Sequence, residues 1–294
     1  MSAPSRLDPL ALVMGFGFAL MWSSAFTSAR IAVADAPPFL LLSVRFAISG
    51  LLAVGLARAL GQRVDLDARG WLAVALFGIC QNTLYLGLNF TAMQTLEASA
   101  AAVIASALPL SVAAARWAFA GERLPLAGIA GLLAGFAGVL MIMSTRVSAG
   151  ADGFGILLCL GGLAALTAAT LLVHGAISGG NLLMIVGLQM LVGSVTLLPL
   201  SLALESWAVN WTLSLALAFT YTTLVPGLAA TLVWFALVAR IGATRAASFH
   251  LLNPFLGVAI AAAVLGEALN VRDILGVAII MAGIYAVQRS TADR

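Results

Sequence analysis

The sequence predicts an all-α membrane protein of ten transmembrane helices, arranged as two inverted five-helix repeats around a central cavity. Composition is the first reason: of 294 residues, 63% are hydrophobic and only 9% are charged, whereas roughly a quarter of a soluble domain is charged. Length is the second, because each helical crossing needs about 20 apolar residues and the chain divides into ten such stretches. The third is an internal repeat, in which the second half of the chain copies a pattern of the first.

The ten predicted spans are separated by clusters of glycine, proline or arginine. Their approximate bounds are 9–33, 37–58, 70–94, 97–118, 124–144, 153–173, 181–204, 212–239, 243–265 and 271–289. No segment between them is long enough to fold as a domain of its own. The whole chain is therefore expected to form one bundle in the membrane.

The internal repeat is carried by a short pattern that returns 145 positions later. Pro109, Gly121-Glu122, Leu124, Gly131 and Gly138 recur as Pro254, Gly266-Glu267, Leu269, Gly276 and Gly283. Arg45 corresponds in the same way to Gln189, at an offset of 144. We expect the first repeat to cover residues 1–145 and the second to cover 152–294. Since five is an odd number of spans, the second repeat enters the bilayer from the opposite side, which makes the pair inverted.

The arginines predict the orientation of the bundle. All 14 basic residues are arginine, and with a cytoplasmic N-terminus most of them lie at the inner ends of the spans. Only Arg146 and Arg272 fall in outer loops, an asymmetry typical of membrane proteins. We therefore expect both termini in the cytoplasm. The net charge of +3 reflects this orientation, and no nucleic-acid partner is expected because the arginines are dispersed among short loops.

A polar face in span 3 predicts a cavity. Polar side chains are costly inside a bilayer, so those deep in a span are expected to face the protein interior or water. Gln81, Asn82, Tyr85 and Asn89 fall at i, i+1, i+4 and i+8, which places them on one face of a helix. We interpret this face as the lining of a polar cavity. The alternative is that the amides bond neighbouring helices and hold the bundle together.

Prolines interrupt the spans expected around this cavity. The predicted hinge or kink residues are Pro109, Pro226 and Pro254. A proline ring removes the usual bond to the carbonyl four residues earlier, which for Pro254 is that of His250. Such a carbonyl can accept a bond from a substrate ammonium, and broken helices near the midplane bind substrates in several transporter folds. The alternative, that the prolines only curve their helices, is equally open.

Aromatic residues complete the predicted cavity. They can supply apolar or cation–π contacts to a substrate, although any one of them can instead face lipid. His250 is interpreted as an interior histidine, with proton transfer as the alternative. The full predicted lining is Trp22, Phe26, Gln81, Asn82, Tyr85, Asn89, Ser106, Tyr221, Trp234, His250 and Asn253.

The charges inside the predicted spans indicate the kind of substrate. Arg45 lies about eight residues into span 2, where we favour snorkelling to the interface or an interhelical bond, with a substrate carboxylate as the alternative. No carboxylate lies in the middle of a predicted span. A cationic drug exchanged for protons would need one to bind both in turn. The sequence therefore favours a neutral or zwitterionic substrate.

Signatures of an enzyme are missing from the sequence. It has no G-x-S-x-G or H-E-x-x-H motif, and its only histidines are His174 and His250, so no catalytic residue, metal site or cofactor is expected. Cys80 and Cys159 both fall within predicted spans, where we expect them to pack as small apolar residues.

Several motifs together resemble a known family. The ten-span layout is joined by Trp22-Ser23-Ser24-Ala25-Phe26, Arg45-Phe46 and the twin modules in which a Gly-Glu pair follows Pro109 and Pro254. This pattern resembles the EamA branch of the drug/metabolite transporter (DMT) superfamily over essentially the whole chain. It departs from the family at Ser23, where glycine is common, and at Arg30, where lysine is common.

The resemblance implies a function. The chain looks most like bacterial YddG-type exporters, which implies export of amino acids, aromatic and others, across a bacterial inner (plasma) membrane. It also implies a small-molecule substrate held between the two repeats, which would give alternating access to the two sides of the bilayer. The alternative is an exporter of multiple drugs or of quaternary cations of the methyl viologen type. The resemblance does not predict an oligomeric state.

Overall fold

The computed structural model describes residues 9–64, 66–119, 121, 124–148, 150–173 and 181–292, which form helices and short loops without a strand. Within them, ten helical stretches are long and apolar enough to cross a membrane, numbered here as spans 1 to 10: Pro9–Val33, Pro38–Ala59, Ala68–Ala92, Ala98–Phe119, Leu126–Ser148, Gly153–Leu172, Leu182–Leu204, Leu213–Ile241, Arg245–Leu265 and Val271–Ser290. The predicted all-helical membrane fold is confirmed. Glu122 and His174 lie outside the described residues.

Four of the spans are interrupted. Spans 3 and 8 contain the π-helices Ile79–Leu86 and Val225–Ala229, span 4 is divided into Ala98–Ser106 and Leu108–Phe119, and span 9 has the 3-10 helix Ser248–Leu252 before Asn253–Leu265. Single turns of π-helix inside an α-helix often occur at functional sites. The irregular backbone therefore marks spans 3, 4, 8 and 9 as the region to examine for a site.

Glycines allow spans 5 and 10 to cross closely. A Cβ atom placed on Gly131 would lie 2.8 Å from the carbonyl oxygen of Gly283, and one on Gly138 would lie 2.8 Å from that of Gly276. Small residues at such crossings let two helix backbones approach within the membrane. The repeat also relates the two contacts to each other. Gly276 follows Gly131 by 145 positions and Gly283 follows Gly138 by the same number, so replacing each glycine by its equivalent turns one contact into the other. This exchange is the one expected from a two-fold axis between the repeats.

Spans 2 and 7 are capped in a similarly reciprocal way. Glu205, at the end of span 7, accepts hydrogen bonds from the backbone N–H groups of Phe39 and Leu40, at 2.7 and 3.0 Å. Gln62, which follows span 2, accepts one from the N–H of Met184 at 3.0 Å. Each oxygen satisfies a helix-terminal N–H that has no partner within its own helix. These reciprocal contacts support the inverted repeat, which we carry forward as a proposal.

The two ends of the bundle carry different numbers of arginines. One end, called the basic end, is where spans 2, 4 and 8 finish and spans 3, 5 and 9 begin. Its described arginines are Arg58, Arg63, Arg69, Arg116, Arg240, Arg245 and Arg289. The other end, called the opposite end, has Arg30, Arg146 and Arg272. The same asymmetry in the sequence predicts a cytoplasmic location for the basic end. The orientation stays a prediction.

Candidate functional site

A small cavity lies in the middle of the bundle among spans 1, 2, 3, 7 and 8. Its volume is about 80 Å³, and we call it the central cavity. The side chains that carry its chemistry are Trp22, Phe26, Arg45, Phe46, Gln81, Asn82, Tyr85, Asn89, Phe90, Pro226 and Thr231. Six of the predicted lining residues and one predicted hinge, Pro226, thus come together here.

A larger cavity adjoins the central one and extends to the basic end. This entry cavity has a volume of about 390 Å³, shares Trp22 and Tyr85 with the central cavity, and reaches Arg116 and Gln288 at the basic end. The predicted residues along it are Ser106, Pro109, His250 and Asn253. A third cavity of about 340 Å³ adjoins both and is lined by Trp22, Gln81, Trp234 and His250 among others. The middle of the bundle is therefore approached from the basic end.

The polar face of span 3 is built on a π-helix. Gln81, Asn82 and Tyr85 lie within Ile79–Leu86, and the α-helix resumes before Asn89. The predicted regular α-helix is wrong for this segment, although all four side chains line the central cavity. A π-turn adds one residue to the hydrogen-bonded ring, and composition carries no signal for that change of register.

Two of these amides also make structural hydrogen bonds. Asn82 donates from Nδ2 to the side-chain Oε1 of Gln189 at 2.6 Å and to its backbone carbonyl at 2.8 Å, which ties span 3 to span 7. Asn89 donates from Nδ2 to the carbonyl of Tyr85 at 2.8 Å. The Oδ1 of Asn89 is buried and has no partner within the described residues. Asn82 is thus occupied in holding helices together, while Asn89 keeps a free acceptor.

An aromatic cluster forms the wall of the cavities towards the basic end. The ring of His250 lies 5.1 Å from that of Phe18, 6.1 Å from Trp22 and 5.0 Å from Trp234, measured between centroids. Phe18 in turn lies 4.7 Å from Trp234. Offset or edge-to-face pairs at these separations are favourable. All four rings line the third cavity, and Trp22 and His250 also line the entry cavity.

His250 is bonded to its neighbour in span 9. Its Nδ1 lies 2.9 Å from Nδ2 of Asn253, and since an amide NH₂ only donates, Nδ1 accepts. The backbone carbonyl of His250 was predicted to be free because of Pro254, and this prediction is wrong. The 3-10 turn before the proline directs the Asn253 N–H onto that carbonyl. Pro254 therefore begins a helix segment, where it removes no bond that the turn needs.

The other two prolines lie at interruptions that border the cavities. Span 4 stops at Ala107, whose N–H donates to the carbonyl of Ile104 at 3.1 Å, and Pro109 follows on the wall of the entry cavity. Pro226 lies in the π-helix of span 8, on the central cavity. The irregular backbone expected at these prolines is present, and hinge motion there stays a prediction.

Tyr221 does not line these cavities, so its predicted place is wrong. The residue is 39% exposed, and its hydroxyl lies 2.8 Å from the Oγ of Ser24. The next two residues, Thr222 and Thr223, are buried instead. Successive residues of a helix point about 100° apart, so an error of one position in the helical phase moves a side chain off the inner face.

Arg45 lines the central cavity, although the sequence interpretation did not include it in the predicted lining and gave a substrate carboxylate only as the alternative. Its side chain is buried, 6% exposed, and its guanidinium carbon lies 5.3 Å from the ring centre of Phe46 and 5.9 Å from that of Phe90. Within the described residues, no hydrogen-bond partner reaches its Nε, and no carboxylate pairs with it. The favoured snorkelling or interhelical bond is therefore wrong. The available signal was an arginine at membrane depth in a chain without an intramembrane carboxylate.

Charged side chains close the opposite end. Arg146 forms an ion pair with Glu97, and its Nη2 lies 3.2 Å from Asp273, which is fully buried. Burial raises the pKa of Glu97, and the nearby Arg146 opposes that shift. Arg30 donates to the carbonyl of Gln94 at 2.8 Å. These contacts join spans 1, 4, 5 and 10 above the central cavity.

A larger depression lies elsewhere among the described residues. Its volume is about 930 Å³, and it is formed at the opposite end by residues 33–39 and 204–210 with two residues of span 3 and its following loop. It contains none of the predicted site residues. Its carboxylates are already bonded, since Asp35 accepts from Thr212 at 2.6 Å and Glu205 caps span 2. We therefore place the candidate site in the central and entry cavities.

Comparisons with known proteins agree with a transporter. The family model described as the EamA-like transporter family matches twice, over residues 9–144 and 153–289. The chain is 27% identical over 278 residues to the "uncharacterized transporter YvbV" of Bacillus subtilis (strain 168), covering 94% of this chain and 90% of that protein. It is 24% identical to a chloroplastic WAT1-related protein of Arabidopsis thaliana, covering 96% and 69%. A crystal structure that is 21% identical has the same fold, with a TM-score of 0.67 over 95% of this chain and 96% of that one.

Proposed function

Since this chain belongs to the EamA-like transporter family, we propose that it exports amino acids, aromatic and others, across a bacterial inner membrane. The chain is a membrane transporter. The proposed mechanism is alternating access, in which the inverted repeats 1–145 and 152–294 expose the central cavity to one side of the membrane at a time. The observation that carries the proposal is the mixed lining of that cavity, where aromatic rings and polar groups meet around a buried arginine.

The charges of the lining favour a zwitterion over a cation. The central and entry cavities have no aspartate or glutamate among their described lining residues, whereas Arg45 lines the central cavity. A cationic substrate would lie near a fixed positive charge without a compensating carboxylate, which is unfavourable in a low-dielectric site. An amino acid offers a carboxylate to that charge, and its side chain suits the aromatic walls.

The accessible end of the cavity is compatible with export, whose direction is taken from the family resemblance. The entry cavity reaches the basic end, for which the arginine asymmetry predicts a cytoplasmic location. An exporter loads its substrate from that side. The proposed orientation therefore has both termini in the cytoplasm and the opposite end facing outwards.

Counterflow of labelled amino acids in proteoliposomes tests this function. We expect saturable exchange of phenylalanine and of aliphatic amino acids, which Gln81→Ala and Tyr85→Phe weaken because both side chains line the central cavity. Tyr221→Phe is the matched control and is expected to transport normally, because Tyr221 lies away from the cavity. Exchange no faster than in protein-free liposomes would overturn the proposal.

Export of quaternary cations is the second candidate, favoured by the aromatic rings at Trp22 and Trp234, since such rings attract quaternary ammonium groups. Cells without other efflux pumps distinguish the two candidates. Resistance to methyl viologen on expression, together with absent amino acid counterflow, would replace the first candidate by this one. We expect amino acid counterflow and unchanged methyl viologen sensitivity.

A further inference from the structure

Two equivalent positions in the halves of the chain are paired differently. In one place, Gln189 of span 7 accepts a hydrogen bond from Asn82 of span 3 at 2.6 Å. The residue 144 positions before Gln189 is Arg45, and the residue 145 positions after Asn82 is Gly227. Arg45 therefore lies beside Gly227, whereas its counterpart Gln189 is hydrogen-bonded to the side-chain amide of Asn82.

The contacts within spans 2 and 7 independently support this alignment. A Cβ on Gly50 would lie 3.0 Å from the carbonyl oxygen of Gly187, and Ser43 donates to the carbonyl of Ser194 at 2.9 Å. Ser194 is 144 positions after Gly50, and Gly187 is 144 positions after Ser43. The same offset relates Arg45 to Gln189, so the two are equivalent in space as well as in sequence.

Gly227 offers no side-chain acceptor to the guanidinium of Arg45, which contacts the rings of Phe46 and Phe90 but no carboxylate among the described residues. A Cβ on Gly227 would lie 3.6 Å from Nη2 of Arg45, so any larger side chain there would enter the space in front of the guanidinium. Arg45 is 6% exposed, and its Nε is buried and unpaired. A buried charge without a counter-ion is unfavourable, and aromatic rings compensate it only in part. An anionic group that reaches this space is therefore strongly favoured.

The same cavity contains an acceptor of complementary chemistry. Asn89 lines the central cavity, and its Oδ1 is buried and has no hydrogen-bond partner among the described residues. The orientation of this amide is set by its Nδ2, which donates to the carbonyl of Tyr85 at 2.8 Å. An amide oxygen accepts hydrogen bonds only, so it suits an ammonium group.

We propose that Arg45 binds the carboxylate of a zwitterionic amino acid and that Asn89 accepts a hydrogen bond from its ammonium group. The assignment rests on the proposed function and names how that site recognises its substrate. A guanidinium binds a carboxylate through two parallel N–H donors, which adds specificity to charge. The central cavity of about 80 Å³ holds the head group, and the adjoining entry cavity holds the side chain.

A pair of ligands that differ by one carboxylate tests the assignment. Unlabelled L-phenylalanine and 2-phenylethylamine, which lacks the carboxylate, are compared as inhibitors of labelled L-phenylalanine counterflow and as thermal stabilisers of the purified protein. For the wild type, we expect L-phenylalanine to act at a concentration about tenfold or more below that of the amine, because charge-assisted hydrogen bonds are strong.

Variants of Arg45 then locate the preference. Arg45→Gln introduces the residue found at the equivalent position 189. We expect it to remove most of the preference for L-phenylalanine over 2-phenylethylamine, because only the binding of L-phenylalanine is weakened. Gly227→Ala fills the space before the guanidinium and is expected to act in the same direction. Arg58→Gln, which changes an exposed arginine of the same span, is the matched control and should keep the full preference.

Each outcome separates this assignment from the proposed function. Absent L-phenylalanine counterflow by the wild type overturns the function and the assignment with it. Counterflow by the wild type with an unchanged preference in Arg45→Gln overturns the assignment alone. If Arg45→Gln is not monodisperse, Arg45→Lys decides, because it keeps the charge and loses the two-pronged geometry. Arg45→Lys must weaken the binding of L-phenylalanine more than the binding of 2-phenylethylamine. Equal weakening of the two overturns the assignment.

Discussion

The two ends of the bundle differ in what lies between their helices. At the opposite end, Arg146 connects Glu97 to the buried Asp273, and Glu267 caps the start of span 4 by accepting from the N–H groups of Ala98 and Ser99 at 2.8 and 3.0 Å. At the basic end, the entry cavity runs between spans 4, 9 and 10. Among the described residues, the opposite end is joined by charged side chains and has a depression without predicted site residues, whereas the basic end has the cavity that adjoins the central one. Under the proposed alternating access, the contacts that would have to break for the cavity to change sides are those at the opposite end.

The largest effect is expected for Arg146→Gln. This change leaves the fully buried Asp273 without its cation, and breaking a buried pair in this way costs about 3–5 kcal/mol. The thermal unfolding midpoint in detergent should fall clearly, whereas Arg58→Gln at the basic end should leave it nearly unchanged. Adding Asp273→Asn to Arg146→Gln should restore much of the loss, because it removes the unpaired charge. A double variant as unstable as the single one would contradict this role of Arg146.

A smaller loss of stability is expected for substitutions at the crossing of spans 5 and 10, which lies between the two ends. The added methyl group of Gly131→Ala would lie 2.7 Å from the Cβ of Ala286 and 2.8 Å from the carbonyl oxygen of Gly283. Overpacking of this kind costs about 1–3 kcal/mol. Gly55→Ala is the control, since nothing lies within 4 Å of that position. Equal unfolding midpoints for the two variants would show that the crossing tolerates a wider separation.

Caps at the two ends allow a matched comparison. Glu267→Ala frees two N–H groups at the start of span 4, and loss of a helix cap costs about 0.5–2 kcal/mol. Asp67→Ala at the basic end frees the N–H of Gly70, which Asp67 caps within its own span at 2.8 Å. We expect Glu267→Ala to lower the unfolding midpoint further, because its carboxylate joins two different spans. A larger effect of Asp67→Ala would reverse that ranking.

The smallest effect is expected at Asp152. A hydrogen bond from the Thr95 hydroxyl, with a second from the N–H of Phe154, lowers the pKa of this carboxyl below 3.8, its ordinary value. A lowered pKa stabilises the folded state above the ordinary value, and this contribution disappears as the pH falls through the lowered one. Asp152→Asn should therefore unfold slightly earlier than the wild type at neutral pH, with the difference vanishing in acid. A difference independent of pH would contradict this origin.

Much of the fold was predictable because it depends on local composition. Apolar stretches of about 20 residues define crossings wherever they occur, so the bounds of the spans differ from the prediction by only a few residues. The face formed by Gln81, Asn82, Tyr85 and Asn89 was also predictable, since burial in a membrane drives such side chains inwards. The π-helices were not, because a one-residue change in hydrogen-bond register leaves composition unaltered.

The misplaced residues of the site depend on distant parts of the chain. Tyr221 was placed in the cavity on its aromatic character alone, and its helical phase is set by packing against span 1 through Ser24. Arg45 was expected to snorkel or to form an interhelical bond, whereas its guanidinium lies beside Gly227 of another span, which has no side chain to bond it. Such an absence of a partner becomes visible only when both repeats are placed together.

Access of a thiol reagent to the central cavity tests the account most directly. Thr231→Cys places a thiol on the lining of the central cavity, in a background with Cys80→Ser and Cys159→Ala, and an impermeant reagent is applied to membrane vesicles of each orientation. We predict labelling from the side of the basic end alone, and labelling from both sides once Arg146→Gln is added. Equal labelling from both sides without that change, or no new access with it, would contradict alternating access controlled at the opposite end.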